Sequence, residues 1–342
     1  MKPGLNNNRT EGDMLKIGKL DNELLEKIVI DKIKYKRDEV LVRPGIGEDC
    51  AVLDYGEYEC VVSTDPITAA IEKIGSLAVH ISCNDIASNG IEPIGLLLTV
   101  LLPEGTTEKD IEDLMGQAAE AAEELKVEII GGHTEITKAV EKPVIISTAV
   151  GRGAKKTSII KMKPGDNIYV TKTVGLEGTG IIATDKKDEA RKILTKEELA
   201  MAEKMTDMVS VVPEGVIAGK IGVSGMHDIT EGGVLGAVWE MCRVSGTGAL
   251  IKREDIPISK VTEKVCQSYG IDPLRLISSG SMLIIAPPEE NSHKIEKAMQ
   301  EAGIRLTLIG TVTDESEGLT LVSSDGEKSI IEPPESDEIY KV

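Results

Sequence analysis

Residues 74–103 read IGSLAVHISCNDIASNGIEPIGLLLTVLLP. Ile74, Leu77, Ala78 and Ile81 fall at helical spacing, so a helix is predicted over 74–87. Past Gly90, IGLLLTVLLP is a continuous apolar run closed by proline, which predicts a buried strand. Inside the helix a polar pair, Asn84–Asp85, interrupts the apolar pattern. Breaks of local pattern of this kind gather at functional sites. A helix leading into a buried strand also sets the class: the chain mixes the two elements in one α/β architecture.

The neighbouring segments extend that reading in both directions. Upstream, LDNELLEKIVIDKI (20–33) has helical spacing with Asp21 or Asn22 as a cap, and GIGEDCAVLD (45–54) is a glycine-punctuated turn entering a strand. YECVVSTD (58–65) is β-rich and ends on Asp65. Downstream, EKDIEDLMGQAAEAAEELK (108–126) predicts an amphipathic helix, VEIIGG (127–132) a strand entering a turn, and PVIISTAVGR (143–152) another strand. The turn-like KKTSIIKMKPGD (155–166) places a domain boundary near residue 155. Beyond it, helices are expected over 196–211, 233–244 and 259–269, GMHDITEGG (225–233) reads as a loop, and 281–313 reads β-α-β. Three parts follow: a flexible polar segment 1–20, a first domain 21–155 and a second domain 156–342, with a cleft between the two domains as the place for catalytic loops.

Composition narrows the function. The 342 residues suit two domains, and 41% hydrophobic with 28% charged residues is ordinary for a soluble globular chain. With no Phe, one Trp and six Tyr, the core rests on aliphatic residues and base-stacking platforms are not expected. A net charge of −19 gives no general attraction to phosphate backbones, so nucleic acid is not a partner. No apolar run approaches the roughly 18 residues of a membrane span. The five cysteines form no C-x-x-C pair, and their odd number without a signal peptide points to a reducing cytoplasm.

The candidate chemistry lies in carboxylates and glycine turns. Asp49, Asp65, Asp85 and Asp228 sit at strand ends, in glycine turns or in the interrupted helix. Each alone reads equally as a turn or cap residue. Together they suit Mg²⁺, which takes one or two carboxylates plus substrate phosphates and waters. Gly131–Gly132 and Gly232–Gly233 are either tight turns or places where backbone amides approach a phosphate. There is no Walker A loop and no G-x-G-x-x-G after a strand. His133 and His227, each in a glycine-bounded polar turn, suit acid–base or phosphate contacts, whereas His80 reads as packing and His293 as solvent-facing. No set of three or four zinc ligands can be assembled. Cys50 and Cys83 adjoin the carboxylates, which disfavours a thiolate nucleophile. Lys16 and Lys19, in KIGKL, either fold over a phosphate or are simply solvated.

Six segments in order, GIGEDCAVLD, VVSTDPIT, CNDIASNGIEPIGLLLTVLLPEG, IIGGHTEIT, HDITEGGVLGA and DPLRLISSGSMLI, resemble the AIR-synthase-related superfamily, and in particular its hydrogenase-maturation-factor-like branch. The resemblance covers about residues 14–325. It implies an N-terminal α/β domain that pairs through its sheet with a second chain, a C-terminal α+β domain, and a homodimer. It also implies ATP and Mg²⁺ as cofactors and phosphoryl transfer to a carbonyl-type oxygen, a phosphate or a selenide, with dehydration of an amide or thioamide in some members. Position by position, Asp49, Asp65 and Asp85 match its metal and phosphate carboxylates, Asp228 an acidic position facing the cleft, and Gly131, Gly132 and Glu135 the turn beside ATP. His227, His133, Gly232 and Gly233 complete the expected site, with Lys16 and Lys19 over the nucleotide.

The chain also departs from each branch. Carbamoyl dehydratases carry their substrate on a C-terminal cysteine, and this sequence closes with IIEPPESDEIYKV. Residues 1–20 hold no cysteine of the selenophosphate type, and His133 stands where thiamine-monophosphate kinases have an acid. Two expectations result: an enzyme acting on a small or protein-bound amide, thioamide or phosphate substrate, or a nucleotide-binding assembly factor that docks a partner in metalloenzyme maturation with little turnover.

Overall fold

The computed structural model describes residues 15, 18–20, 22–68, 72–154, 161–334 and 336–342. The flexible segment expected over 1–20 lies almost wholly outside the described residues, as do residues 155–160 of the turn expected over 155–166. A short helix α1 (Asn22–Ile28) leads to β1 (Val40–Val42), β2 (Ala51–Tyr55), β3 (Tyr58–Ile67), α2 (Ile74–Ser88), β4 (Pro93–Leu102), α3 (Glu108–Leu125), β5 (Glu128–Ile136) and β6 (Val144–Ala154). These strands form one sheet in the order β1-β2-β3-β6-β4-β5, antiparallel except for the β4–β5 pair. Helices α2 and α3 pack together, with α2 laid on β3 and β6. Thr107 starts α3 with a capping box to Asp110.

The predicted helix at 74–87 and the buried strand after Gly90 are both present. Two sequence expectations change here. β3 runs on to Ile67, so Asp65 lies within a strand and not at its end. Gly131 and Gly132 sit inside β5, where the pairing with β4 slips by one residue around Ile130. Their φ values of +156° and +146° and the distance of 1.9 Å from a Cβ at 132 to the Leu98 carbonyl oxygen explain the glycines as a β-bulge requirement.

The second sheet collects β7 (Asn167–Thr171), β8 (Gly225–Asp228), β9 (Thr247–Lys252), β10 (Met282–Ala286), β11 (Leu306–Asp314), β12 (Leu319–Val322) and β13 (Lys328–Ile330) in the order β13-β12-β9-β11-β7-β10-β8. Its central strands are covered on both faces. Ile168, Val170, Leu283 and Ile285 join the cluster built on helix α8 (Gly233–Ser245), while Tyr169, Met282, Ile284 and Ala286 join one that includes Ile295 and Met299. That alternation is the two-residue period of a strand read on both sides. Helices α4 (Leu176–Asp185), α5 (Lys187–Ile193), α6 (Lys196–Met205) and α9 (Lys260–Tyr269) pack as a satellite cluster. Helix α7 (Val212–Ile221) and α10 (Glu290–Glu301) complete the domain.

The helix expected over 196–211 therefore stops at Met205, and α7 follows as a separate element started by Pro213. GMHD, expected as loop, is the edge strand β8. The domains meet where α2 packs on α7 and β8. Gly215 of α7 touches α2 so closely that a Cβ would stand 2.2 Å from the Ala87 carbonyl oxygen. Gly215→Ala is expected to force the helices apart and lower the unfolding free energy in urea by about 1–3 kcal/mol. An unchanged midpoint would show that the seam is not tightly packed.

Candidate active site

Helix α2 carries the seam. Its Asn84 amide donates to the Val209 carbonyl at 2.8 Å and accepts from the Val211 N–H at 2.8 Å. Ser88, one turn on, lies 3.1 Å from Asp228 Oδ1 and receives the Asp228 N–H at 3.1 Å. Asp85 is thus held, buried, between Asp228 of β8 and the strand β3. Its Oδ2 accepts from Ser63, and the Asp65 carboxyl adjoins it. Asp49, in the turn before β2, faces His227: Nδ1 stands 3.3 Å from Asp49 Oδ2 and 3.7 Å from Asp228 Oδ1. The other ring nitrogen, Nε2, is 3.1 Å from Glu240 Oε2 on α8.

The electrostatics follow from this crowding. Burial, then Asp228, Asp65 and Asp49, push the Asp85 carboxyl well above its ordinary range. Burial also raises Asp49, and Asp228 adds to the rise against the pull of His227. Burial works against a charged His227, but Asp49, Asp228 and Glu240 outweigh it and hold the imidazolium. Burial and the neighbouring acids raise Cys50, and Cys83 is pushed up to about 12, so neither is a thiolate nucleophile. His80 is buried and pushed down to about 4, mainly by burial, and is neutral.

Asp49, Asp65 and Asp85 open on a cleft of about 800 Å³ between the domains. Lys19 lines it and pairs with Glu231 at 3.0 Å, joining the N-terminal segment to the turn before α8. Lys142, Glu177, Ser279 and Tyr340 line its walls. The site residues expected from sequence divide accordingly. Asp49, Asp65, Asp85, His227 and Asp228 come together, with Lys19 at the rim. Lys16 lies outside the described residues. His133 and Glu135 are exposed on the edge strand β5, 3.1 Å from each other, and three strand spacings from β3. That is about 14 Å, too far to share this chain's cleft.

Gly232 and Gly233 do form the turn into α8, but not as an open anion cradle. The Gly232 N–H donates to Asp337 Oδ2 at 2.7 Å, and the Gly233 N–H to Thr230 at 3.1 Å. Sequence reasoning missed Glu177, set among glycines and apolar residues in the first turn of α4, and Glu240, the lone acid of α8. An acid set in an apolar run is the signal that finds them.

Asp49, His227 and Asp228 present ligand atoms within 4.8 Å of one another, and Asp228 Oδ2 is buried without a hydrogen-bond partner among the described residues. Carboxylates crowded against their own repulsion fit a divalent cation. Mg²⁺, an oxygen-seeking ion, suits Asp49, Asp65, Asp85 and Asp228 better than the imidazole.

Models of the AIR synthase related protein N-terminal and C-terminal domains match residues 47–153 and 163–322. The chain is 29% identical over 340 residues to a protein of Methanocaldococcus jannaschii named for hydrogenase expression/formation, covering 95% of this chain and 97% of that one. It is 27% identical over 288 residues to the carbamoyl dehydratase HypE of Escherichia coli, covering 81% of each. The structure of a hydrogenase maturation protein HypE in complex with ATP superposes with a TM-score of 0.66 at 20% identity, over 94% of this chain and 97% of that one.

Burial raises Glu177 from 4.5 to about 7. The folded carboxyl therefore holds its proton above the unfolded value, and the penalty for ionising it is absent below about pH 4.5 and complete above about pH 7. Glu177→Gln removes that penalty. From about pH 5 to 8, the variant's unfolding free energy is expected to gain up to about 3 kcal/mol on the parent's. Parallel denaturation curves across this range would contradict the burial effect.

Proposed function

The chain belongs to the AIR synthase related family, and we propose that it is an ATP- and Mg²⁺-dependent enzyme that transfers a phosphoryl group to an amide- or thioamide-type oxygen. The carrying observation is the meeting of Asp49, Asp65 and Asp85 with Asp228 across the domain seam. Phosphoryl transfer asks the protein mainly for positioned cations and phosphates. Mg²⁺ on these carboxylates would neutralise charge on the phosphates of ATP. The cleft volume lies in the range of small-molecule sites, and the ATP complex of a structural relative supports nucleotide as the occupant. Lys19 is placed at the rim to meet phosphate oxygens once Glu231 yields it.

A role in hydrogenase maturation, with a maturation protein as partner in the cytoplasm, is supported by the names of the relatives and by five free cysteines. Among the described residues no helix is long and apolar enough to cross a membrane. A homodimer is supported by one open apolar face: Ile94 and Leu97 of β4 and Ile130 of β5 are 41–54% exposed. In such a dimer His133 and Glu135 lie at the interface, clear of their own chain's cleft.

Two measurements check this reading. Asp65→Ala is expected to cut Mg²⁺-dependent phosphate release from ATP by about 100-fold or more, a loss typical of removing one electrostatic contact to transferring charge. Saturable ATP binding without release would favour the assembly-factor role, and no Mg²⁺-dependent binding would end both. Sedimentation at micromolar concentration is expected to give twice the chain mass, and Leu97→Lys with Ile130→Lys to give monomers. A monomeric parent chain would remove the dimer.

A further inference from the structure

Glu177 sits in the first turn of α4, on the C-terminal-domain wall of the cleft. It is 6% exposed, yet it lines the cavity. Its carboxyl lies beside the hydroxyl and N–H of Ser279, and its Oε2 is buried without a hydrogen-bond partner among the described residues. No lysine or arginine pairs with it among the described residues. The charges facing it are acidic: Glu231 from the turn before α8 and Asp337 from the C-terminal segment. Tyr340 of that segment also faces it, and Glu231 is already held by Lys19. A carboxyl kept for structure would be satisfied by a cation or by donors. Among the described residues this one has no cation beside it, only the Ser279 hydroxyl and N–H, and it faces the cleft on one side.

We propose that Glu177 is the proton-transfer residue of the cleft, taking the proton that the acceptor gives up as its oxygen becomes phosphorylated. The proposal rests on the phosphoryl-transfer reading above. With a primary carboxamide as acceptor, the amide oxygen bonds to the terminal phosphorus. The bridging P–O bond breaks and its electron pair leaves with ADP. The amide N–H proton passes to the Glu177 carboxylate, leaving a neutral imidate nitrogen. Ser279, whose hydroxyl and N–H adjoin the carboxyl and lower its proton affinity against the burial that raises it, acts as a positioning residue. A carboxyl poised at about 7 by burial is matched to this work at neutral pH. A fully ionised phosphate acceptor would have no such proton to give. Glu177 therefore selects a neutral, N–H-bearing acceptor.

The test uses the full chain with MgATP and formamide as the probe acceptor. The parent chain is expected to form and release ADP at a rate that rises with pH through about 7. Glu177→Gln is expected to bind MgATP as the parent does, to lose about 100-fold or more in rate, and to show no pH rise. Ser279→Ala is expected to move the midpoint of the rise upward. A substrate-free reading comes from infrared difference spectra across the same pH range, where a protonated-carboxyl band should titrate near pH 7 in the parent and be missing in Glu177→Gln. Retention of rate and pH rise by Glu177→Gln overturns the proposal, as does a parent without that band. Normal MgATP binding with no formamide-dependent release overturns the proton-transfer role alone. Absence of MgATP binding overturns the phosphoryl-transfer reading and this inference with it.

Discussion

Asn84 bridges the two domains with both ends of one amide, and its neighbour Asp85 is carried with it into the seam. The bond pair fixes where α2 lies against the chain before α7. With α2 fixed, Ser88 reaches Asp228 and the buried carboxylates meet. Left to electrostatics alone these groups would separate, since burial and mutual repulsion both oppose their charge. The packing of α2, including the close approach at Gly215, holds them at the meeting point. The site exists because the interface does, and neither domain contains it alone.

The two walls of the cleft have different characters. On one side, at the domain seam, acids sit close together with the His227 imidazolium beside them, so charge there is shared and suited to a cation. On the C-terminal side, Glu177 is buried beside Ser279 with other acids near it. One wall is built to hold charge and the other to exchange a proton. A nucleotide and a small acceptor lying between them would each meet the chemistry they need.

Much of the first domain was legible in the sequence because its signals are local. The stripe of Ile74, Leu77 and Ala78 marks α2, and Asn84–Asp85 stands out against it. The Gly131–Gly132 pair was misread as a turn because doubled glycine signals a turn locally. The reason for it, a bulge against Leu98, is set by a strand far away in the chain. Helix α4 was invisible for a related reason. Gly178 and Gly180 lower its helix propensity, but Leu276 and Thr206 leave no room for larger residues there. Gly232 was read correctly as a helix entry and wrongly as an open amide, since its acceptor, Asp337, lies 105 residues on. Periodicity finds elements; it does not find partners.

Asp337 also receives N–H bonds from Ile277 at 3.2 Å and Ile339 at 2.8 Å, so a single buried carboxyl fastens the last residues to the body of the second domain. Beyond that fastening, Ile339, Tyr340 and Val342 form part of the cleft wall. A purification handle, dye or fusion partner joined after Val342 would begin at the mouth of the site and sterically narrow the route by which an acceptor enters.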